Sequence, residues 1–225
     1  MRVAIVGAGA LGSLFGGILS QHDHEVWLYN PSNIEHIEAI KSAGLVIETA
    51  DGELHVEPHA TTRVDEIPLP VDLVGIFVKT YNTELALNAA MSLIGSESWV
   101  LSLQNGVGSE EVISKLLDWG LILRGVTAQG ATYLAPGRVR WGGRGPTRVC
   151  ALTELTAEQG DALRNLCSNF ADADWDCEIV NDIESLLWEK LIVNAGINPL
   201  TALFDVLNGE LSSRGPRCGA KAWHC

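Results

Sequence analysis

The first twelve residues, Met1-Arg-Val-Ala-Ile-Val-Gly-Ala-Gly-Ala-Leu-Gly12, constrain this chain more than any other segment. A short apolar run stops at Gly7. The apolar residues then recur at Leu11, Leu14, Phe15, Ile18 and Leu19, a helical spacing. Such a change of period reads as a strand that turns sharply into a helix. In G-x-G-x-x-G the first glycine permits the tight turn and the second lets a pyrophosphate approach the backbone. The third lets the helix pack close against the strand. The helix N-terminus adds unpaired N–H groups and a partial positive charge. A second apolar strand is expected over residues 24–29. Together these predict a dinucleotide-binding unit, with Gly7, Ala8, Gly9, Ala10, Leu11 and Gly12 around the phosphates.

Strand and helix continue to alternate. Residues 34–43 have helical spacing, and residues 46–49 and 53–57 read as short strands around Asp51-Gly52. Residues 71–78 form a continuous apolar run, the mark of a strand covered on both faces. A helix is expected over 83–93, a buried strand over 99–103 and a helix over 109–117. This order predicts an α/β fold of Rossmann type, a parallel sheet with helices on both faces. Past residue 125 the pattern changes to short segments, 125–133, 138–141 and 147–151, separated by Gly and Pro. They read as antiparallel strands joined by turns. Residues 156–170 read as a helix capped by Thr156 or Thr153. Beyond Asn181 the chain is strongly helical. The expected organisation is a dinucleotide-binding domain over 1–170 and the beginning of an all-helical substrate and catalytic domain over 171–211. Residues 212–225 form a tail.

Composition narrows the function. At 47% hydrophobic and 19% charged residues in 225, the chain is an ordinary soluble globular protein. No apolar run reaches the roughly 18–20 residues that span a bilayer, and the N-terminus lacks a signal-peptide pattern. Cytoplasmic residence is expected, without a membrane partner. The five cysteines are odd in number and without C-x-x-C spacing, so they read as free thiols and not as a disulfide framework or a metal site. A net charge of −13 argues against nucleic acid. The arginines at 138, 140, 144 and 148 read as a solvated face. Five lysines against 28 acids fit either a salt-rich cytoplasm or an ordinary acidic surface.

Lys190, Asn194 and Asn198 sit four apart among Leu191, Ile192, Val193, Ile197 and Leu200. At 3.6 residues per turn the spacing drifts by roughly 40° per step, so one helix face carries all three. The apolar neighbours are expected to bury most of the helix. Spacing alone leaves two readings open: a lined cleft, or a polar edge facing water. At the end of the second strand, Tyr29-Asn-Pro-Ser-Asn33 carries no carboxylate to hold a ribose 2′-OH. This favours NADP over NAD, with Asn30, Ser32 and Asn33 as neutral partners for a 2′-phosphate. No Arg or Lys stands there, so NAD stays open.

The chain resembles the ketopantoate reductase (2-dehydropantoate 2-reductase) family. The matching segments are Gly7 to Gly12, Val78-Lys-Thr80, Gln104-Asn-Gly-Val-Gly108 and Gly125 to Ala131. They continue with Trp188 to Ala202 and Asn208-Gly-Glu-Leu211. The resemblance implies NADPH-dependent reduction of 2-dehydropantoate, a small keto acid, on the way to pantothenate and coenzyme A. It implies Lys190 as the catalytic lysine, itself touching substrate, and Asn194, Asn198 and Asn208 as substrate-binding asparagines. Asn105 would touch both cofactor and substrate, while Lys79 and Ala131 would contact cofactor. The chemistry is coherent. A ketone that accepts hydride develops negative charge on oxygen, which an ammonium stabilises and protonates. Burial would lower the lysine's pKa and make it a better acid.

After residue 211 the chain holds three basic residues, no acid and no helical periodicity. The family's helical domain is longer, so the expectation is a truncated product. It would expose apolar surface and invite homodimerisation or aggregation. Two alternatives stand beside the ketopantoate reading: a reductase of another small 2-keto or hydroxy acid, and an inactive cofactor-binding remnant.

Overall fold

The computed structural model describes residues 1–173 and 175–206. By packing, the chain divides into a unit Met1–Ile183 and a unit Glu184–Cys225. The first unit opens with β1 (Arg2–Val6), α1 (Ala10–Leu19), β2 (Glu25–Tyr29) and α2 (Ile34–Ala43). It continues with β3 (Leu45–Thr49), β4 (Gly52–Val56), β5 (His59–Thr61), β6 (Leu73–Ile76), α3 (Thr83–Ala90), β7 (Trp99–Ser102) and α4 (Ser109–Ile113). Next come β8 (Ile122–Thr127), β9 (Gly130–Ala135), β10 (Arg138–Gly143), β11 (Thr147–Ala151), α5 (Ala157–Asp172) and β12 (Cys177–Ile179). The second unit is carried by α6 (Ile183–Phe204).

Eight strands form one sheet in the order β12-β11-β8-β7-β6-β1-β2-β5. From β8 to β5 neighbouring strands are parallel, and β11 returns antiparallel to β8. The apolar runs alternate between its faces. Val3 and Ile5 join Leu73, Leu101, Leu123, Phe15, Phe170 and Trp175 in one core. Ala4 and Val6 join Val74, Ile76, Val100 and Ile122 in another, under Leu87 and Ala90 of α3 and Ile113 of α4. Because both faces are covered, these strands read as unbroken apolar stretches. Thr156 caps α5: its hydroxyl accepts from Gln159 N–H while the Gln159 side chain accepts from Thr156 N–H. This capping box contributes about 1 kcal/mol.

The α/β fold with its parallel sheet is the expected one, but a second sheet was not foreseen. Its order is β4-β3-β10-β9, and it covers α1. Residues 125–133, expected as one strand, divide between sheets: β8 lies in the large one and β9 in the small one. Nor are these segments uniformly antiparallel, since β10 pairs in parallel with β3 and β8 with β7. The helix expected over 109–117 stops at Ile113, and the N–H groups of Leu116 and Leu117 both close onto the Ile113 carbonyl as a turn.

Candidate active site

Strand register sets the site. Tyr29, Val6, Ile76, Ser102 and Arg124 are paired across five adjacent strands. The segments leaving β2, β1, β6 and β7 therefore start from one edge, the carboxyl edge of the parallel sheet. Strand order reverses there between β1 and β6, the place where open α/β sheets bind ligands.

A cleft of about 780 Å³ opens at that edge. Gly7, Gly9, Ala10 and Leu11 line it from β1 and the start of α1, and Lys79, Asn105 and Ala131 line it from β6, β7 and β9. Seven of the nine residues expected to hold cofactor thus share one cavity. The other two, Ala8 and Gly12, are buried behind the loop. Tyr29, Asn30, Pro31 and Ser32 line the cleft on the β2 side.

The glycines are placed by sterics. Gly7 has φ +101°, and a Cβ there would meet Val78 N and Cγ1 at 2.8 Å. At Gly12 a Cβ would lie 2.5 Å from the Gly7 carbonyl oxygen, so only glycine lets α1 start this close to β1. Gly9 differs. It lines the cleft, and a Cβ there would meet protein only at 4.0 Å. The space over Gly9 is thus open to a ligand, and α1 begins at Ala10 with first-turn N–H groups that have no partner within the helix. These features fit a pyrophosphate.

Asn30 braces the loop. Its Nδ2 donates to the Ala8 carbonyl at 3.1 Å, and its Oδ1 accepts from the N–H groups of Ser32 and Asn33 at 3.0 and 3.2 Å. The amide expected to meet a 2′-phosphate thus fastens the turn after β2 to the glycine loop. Ser32 is exposed in the cleft.

Beneath Lys79 and Asn105 lies a polar layer that sequence reasoning missed. Gln104 Nε2 donates to the Val78 carbonyl at 2.7 Å and to Thr83 Oγ1 at 2.9 Å, while its Oε1 accepts from Ser102 Oγ. This ties the Lys79 segment to the Asn105 segment. Arg124, wholly buried, lies below them. A single arginine inside Leu121-Ile-Leu-Arg-Gly-Val126 was the available signal, because a charge in a buried strand needs partners.

In the second unit, α6 carries Lys190, Asn194 and Asn198 on one face; Lys190 and Asn194 are half-buried and Asn198 is exposed. The apolar neighbours do not bury this helix as expected: Ile192 is 68% exposed, Val193 54% and Leu200 41%. Pro199 lies within the helix and lacks the N–H that Ala195 would otherwise receive. Asn208 and residues 212–225 lie outside the described residues.

The arginine series is paired, not free. Arg138 bonds Glu48 and Glu53, Arg140 bonds Glu48, Arg148 meets Glu178 and Arg144 lies 4.2 Å over the Trp141 ring. Cys150, Cys167 and Cys177 are free thiols. Among the described residues no helix is long and apolar enough to cross a membrane, and no cluster of three or more His, Cys, Asp or Glu could hold a metal.

The chain is similar to known proteins over most of its length. The sequence model of the family Ketopantoate reductase PanE/ApbA matches residues 3–154, and that of its C-terminal region matches residues 182–219. A 2-dehydropantoate 2-reductase of Pyrococcus horikoshii is 37% identical over 94% of this chain, which spans 66% of that protein's length. A PanE/ApbA family ketopantoate reductase from Ralstonia eutropha superposes with TM-score 0.80 at 32% identity, over 92% of this chain and 65% of its own. The ternary structure of D-mandelate dehydrogenase with NADH and anilino(oxo)acetate gives 0.82 at 30% identity, over 92% and 65%. The chain belongs to the ketopantoate reductase PanE/ApbA family.

Proposed function

We propose that this chain is an oxidoreductase that binds NADPH along the carboxyl edge of its large sheet and reduces the ketone of 2-dehydropantoate to pantoate. The observation that carries the reading is the cleft itself. It gathers the glycine loop, Lys79, Asn105 and Ala131 into one cavity in a chain of this family. The cofactor supplies the hydride when bound. The remaining work falls to the chain. Gly7 to Leu11 would hold the pyrophosphate, and Lys79 would offer its ammonium to the dinucleotide's charge. Asn105 would bridge cofactor and substrate. Lys190 would stabilise the growing negative charge on the ketone oxygen and give it a proton, leaving as the neutral amine. Asn194, Asn198 and Asn208 would hold the substrate's hydroxyl and carboxylate and fix the ketone's orientation. Reduction of 2-dehydropantoate places the reaction on the way to pantothenate and coenzyme A, in the cytoplasm. Residues 1–170 would bind the dinucleotide, and residues 171–211, with α6 among them, would present the substrate groups.

A second reading, reduction of another 2-keto acid with NADH, is favoured by the likeness to D-mandelate dehydrogenase. One experiment separates these readings. The purified 225-residue chain is mixed with NADPH or NADH and with 2-dehydropantoate or other 2-keto acids, and loss of reduced cofactor is followed. Turnover fastest with NADPH and 2-dehydropantoate, and abolished by Lys190→Ala, supports the first. Preference for NADH with an aryl keto acid supports the second. Binding without turnover on any acid leaves a cofactor-binding remnant, and no binding of either cofactor overturns the assignment of the cleft.

A further inference from the structure

Arg124 is the one charged side chain among the largest fully buried groups of the described residues. It sits on β8 beside Ser102 of β7 and does not line the cleft. Its Nη1 donates to the carbonyls of Ser102 and Gly125, each at 2.9 Å. Its Nη2 donates to the carbonyls of Gln104 at 2.9 Å and Gly106 at 2.7 Å. Nε makes no aligned hydrogen bond but lies 3.1 Å from Glu110 Oε2 on α4. Burial lowers the guanidinium's pKa and Glu110 opposes that shift. An arginine stays charged in either case.

An apolar residue would serve the sheet at this position without the large desolvation cost of a buried ion. What it could not do is satisfy the loop that follows β7. There Gly106 and Gly108 turn the chain at φ +88° and +90°, and the carbonyls of Gln104 and Gly106 point inward. Those two carbonyls flank Asn105, which stands exposed in the cleft. We propose that Arg124 is a positioning residue: by holding the carbonyls on both sides of Asn105 from one rigid fork, it presents the Asn105 amide to the bound dinucleotide in a single orientation. The proposal rests on the reading that Asn105 touches the cofactor. Lysine cannot replace this function, because its three donors cannot reproduce a planar fork spanning four carbonyls.

The test is a double-mutant cycle read by binding, on the full 225-residue chain, with urea unfolding to establish that each variant is folded. Affinity is measured for NADPH and for adenosine 2′,5′-bisphosphate, which lacks the nicotinamide half. Arg124→Lys is expected to weaken NADPH about tenfold, within the usual coupling range for residues in one network. The adenosine bisphosphate should bind as before. Asn105→Ala should produce the same selective loss, and adding Arg124→Lys to it should weaken NADPH by less than about twofold further. If Arg124→Lys weakens both ligands equally, or adds its full effect to Asn105→Ala, Arg124 merely stabilises the fold and the proposal is overturned. If Asn105→Ala leaves NADPH affinity unchanged, the cofactor role of Asn105 fails, and the positioning role fails with it. Should Arg124→Lys not fold, Gly106→Ala strains the same turn with open space around the new methyl. It must then reproduce the selective loss, and equal weakening of both ligands refutes the idea.

Discussion

The two sheets use arginine in opposite ways. In the large sheet, Arg124 is fully buried, bonds four backbone carbonyls and meets one carboxylate. In the small sheet, Arg138 and Arg140 run along β10 and pair with Glu48 and Glu53 across β3 and β4 while partly in water. The Glu48 carboxyl lies below its ordinary range because it accepts hydrogen bonds from Arg138 and Arg140. The contrast separates two uses of charge. A buried cation whose Nη1 and Nη2 both bond carbonyls fixes the geometry of the backbone it holds. A wet ion pair adds solubility and register, and its attraction is screened by salt. The carboxyl edge of the large sheet therefore has a rigid polar floor, whereas the small sheet's outer face has tolerant decoration.

Arg124→Met should break this contrast most strongly. It strips four carbonyls and Glu110 of their partner at once, and leaving one member of a buried pair uncompensated costs about 3–5 kcal/mol. Urea unfolding at neutral pH should show the unfolding free energy falling by that amount, with the midpoint shifted down in proportion. Arg124→Met paired with Glu110→Met should recover part of the loss, because the stranded carboxylate goes too. A single substitution that unfolds the protein no more easily than a surface change would show that the buried fork is not a structural anchor.

Gly12→Ala comes next. Its methyl would lie 2.5 Å from the Gly7 carbonyl oxygen and 3.1 Å from Ile5 Cγ2, so α1 must move off β1. Overpacking of this kind costs about 1–3 kcal/mol. Since the same shift moves Gly9 to Leu11, dinucleotide affinity should fall as well. Gly52→Ala is a useful contrast, since its neighbourhood is empty within 4 Å and only its φ of +138° resists. It sits at the turn between β3 and β4, so calorimetry should record some destabilisation with cofactor affinity intact. Loss of affinity in both variants would mean that the glycine loop has no special claim on the ligand.

The parts legible in the sequence are those whose signal is local. The strand, glycine turn and helix at the start need only a change of period. Residues 34–43 coincide with α2 because Ile37 and Ile40 face the core at helical spacing. The small sheet was illegible because its pairing is not local: Val46 pairs with Arg138 and Ile47 with Val139. Nothing in either segment names the other. His59–Thr61 and Cys177–Ile179 are three residues each, too short to show a period, and both join the large sheet as outer strands. At the site, the glycine loop stood out because it follows an apolar strand, whereas Lys79 and Asn105 were named only through the family resemblance. Asn30 did not read as a brace, because the carbonyl its amide reaches, that of Ala8, lies 22 residues away in sequence. The Arg124 network required the register of β7 against β8, which no spacing reveals.

A smaller effect should follow from pH. His36 is buried between α1 and the turn joining β9 to β10. Its Nδ1 accepts from Gly137 N–H at 2.9 Å, so the neutral ring must carry its proton on Nε2, 2.8 Å from Ser13 Oγ. Burial lowers its pKa below the ordinary 6.5. The unfolded chain therefore takes up this proton first as pH falls. Stability linked to His36 is complete above about pH 6.5 and declines as pH drops from there towards the lower folded-state value. Urea midpoints measured from neutral to mildly acidic pH should show the decline, and His36→Gln should flatten that part of the profile. An unchanged slope in the variant would assign the effect to other groups.

The smallest effect belongs to the small sheet, and it completes the contrast with Arg124. Arg138→Gln keeps a long polar stem and removes only the charge shared with Glu48 and Glu53. Both carboxylates reach water, so neither is stranded, and Arg140 still holds Glu48 at 2.9 Å. The urea midpoint should hardly move at physiological salt, and the little that is lost at low salt should vanish as salt is raised past the screening range. Cofactor affinity should be untouched, because Arg138 does not line the cleft. If Arg138→Gln were instead as damaging as Arg124→Met, and insensitive to salt, burial would not be what distinguishes the two sheets. The Glu48 carboxylate would then have to be holding the small sheet over α1 by itself.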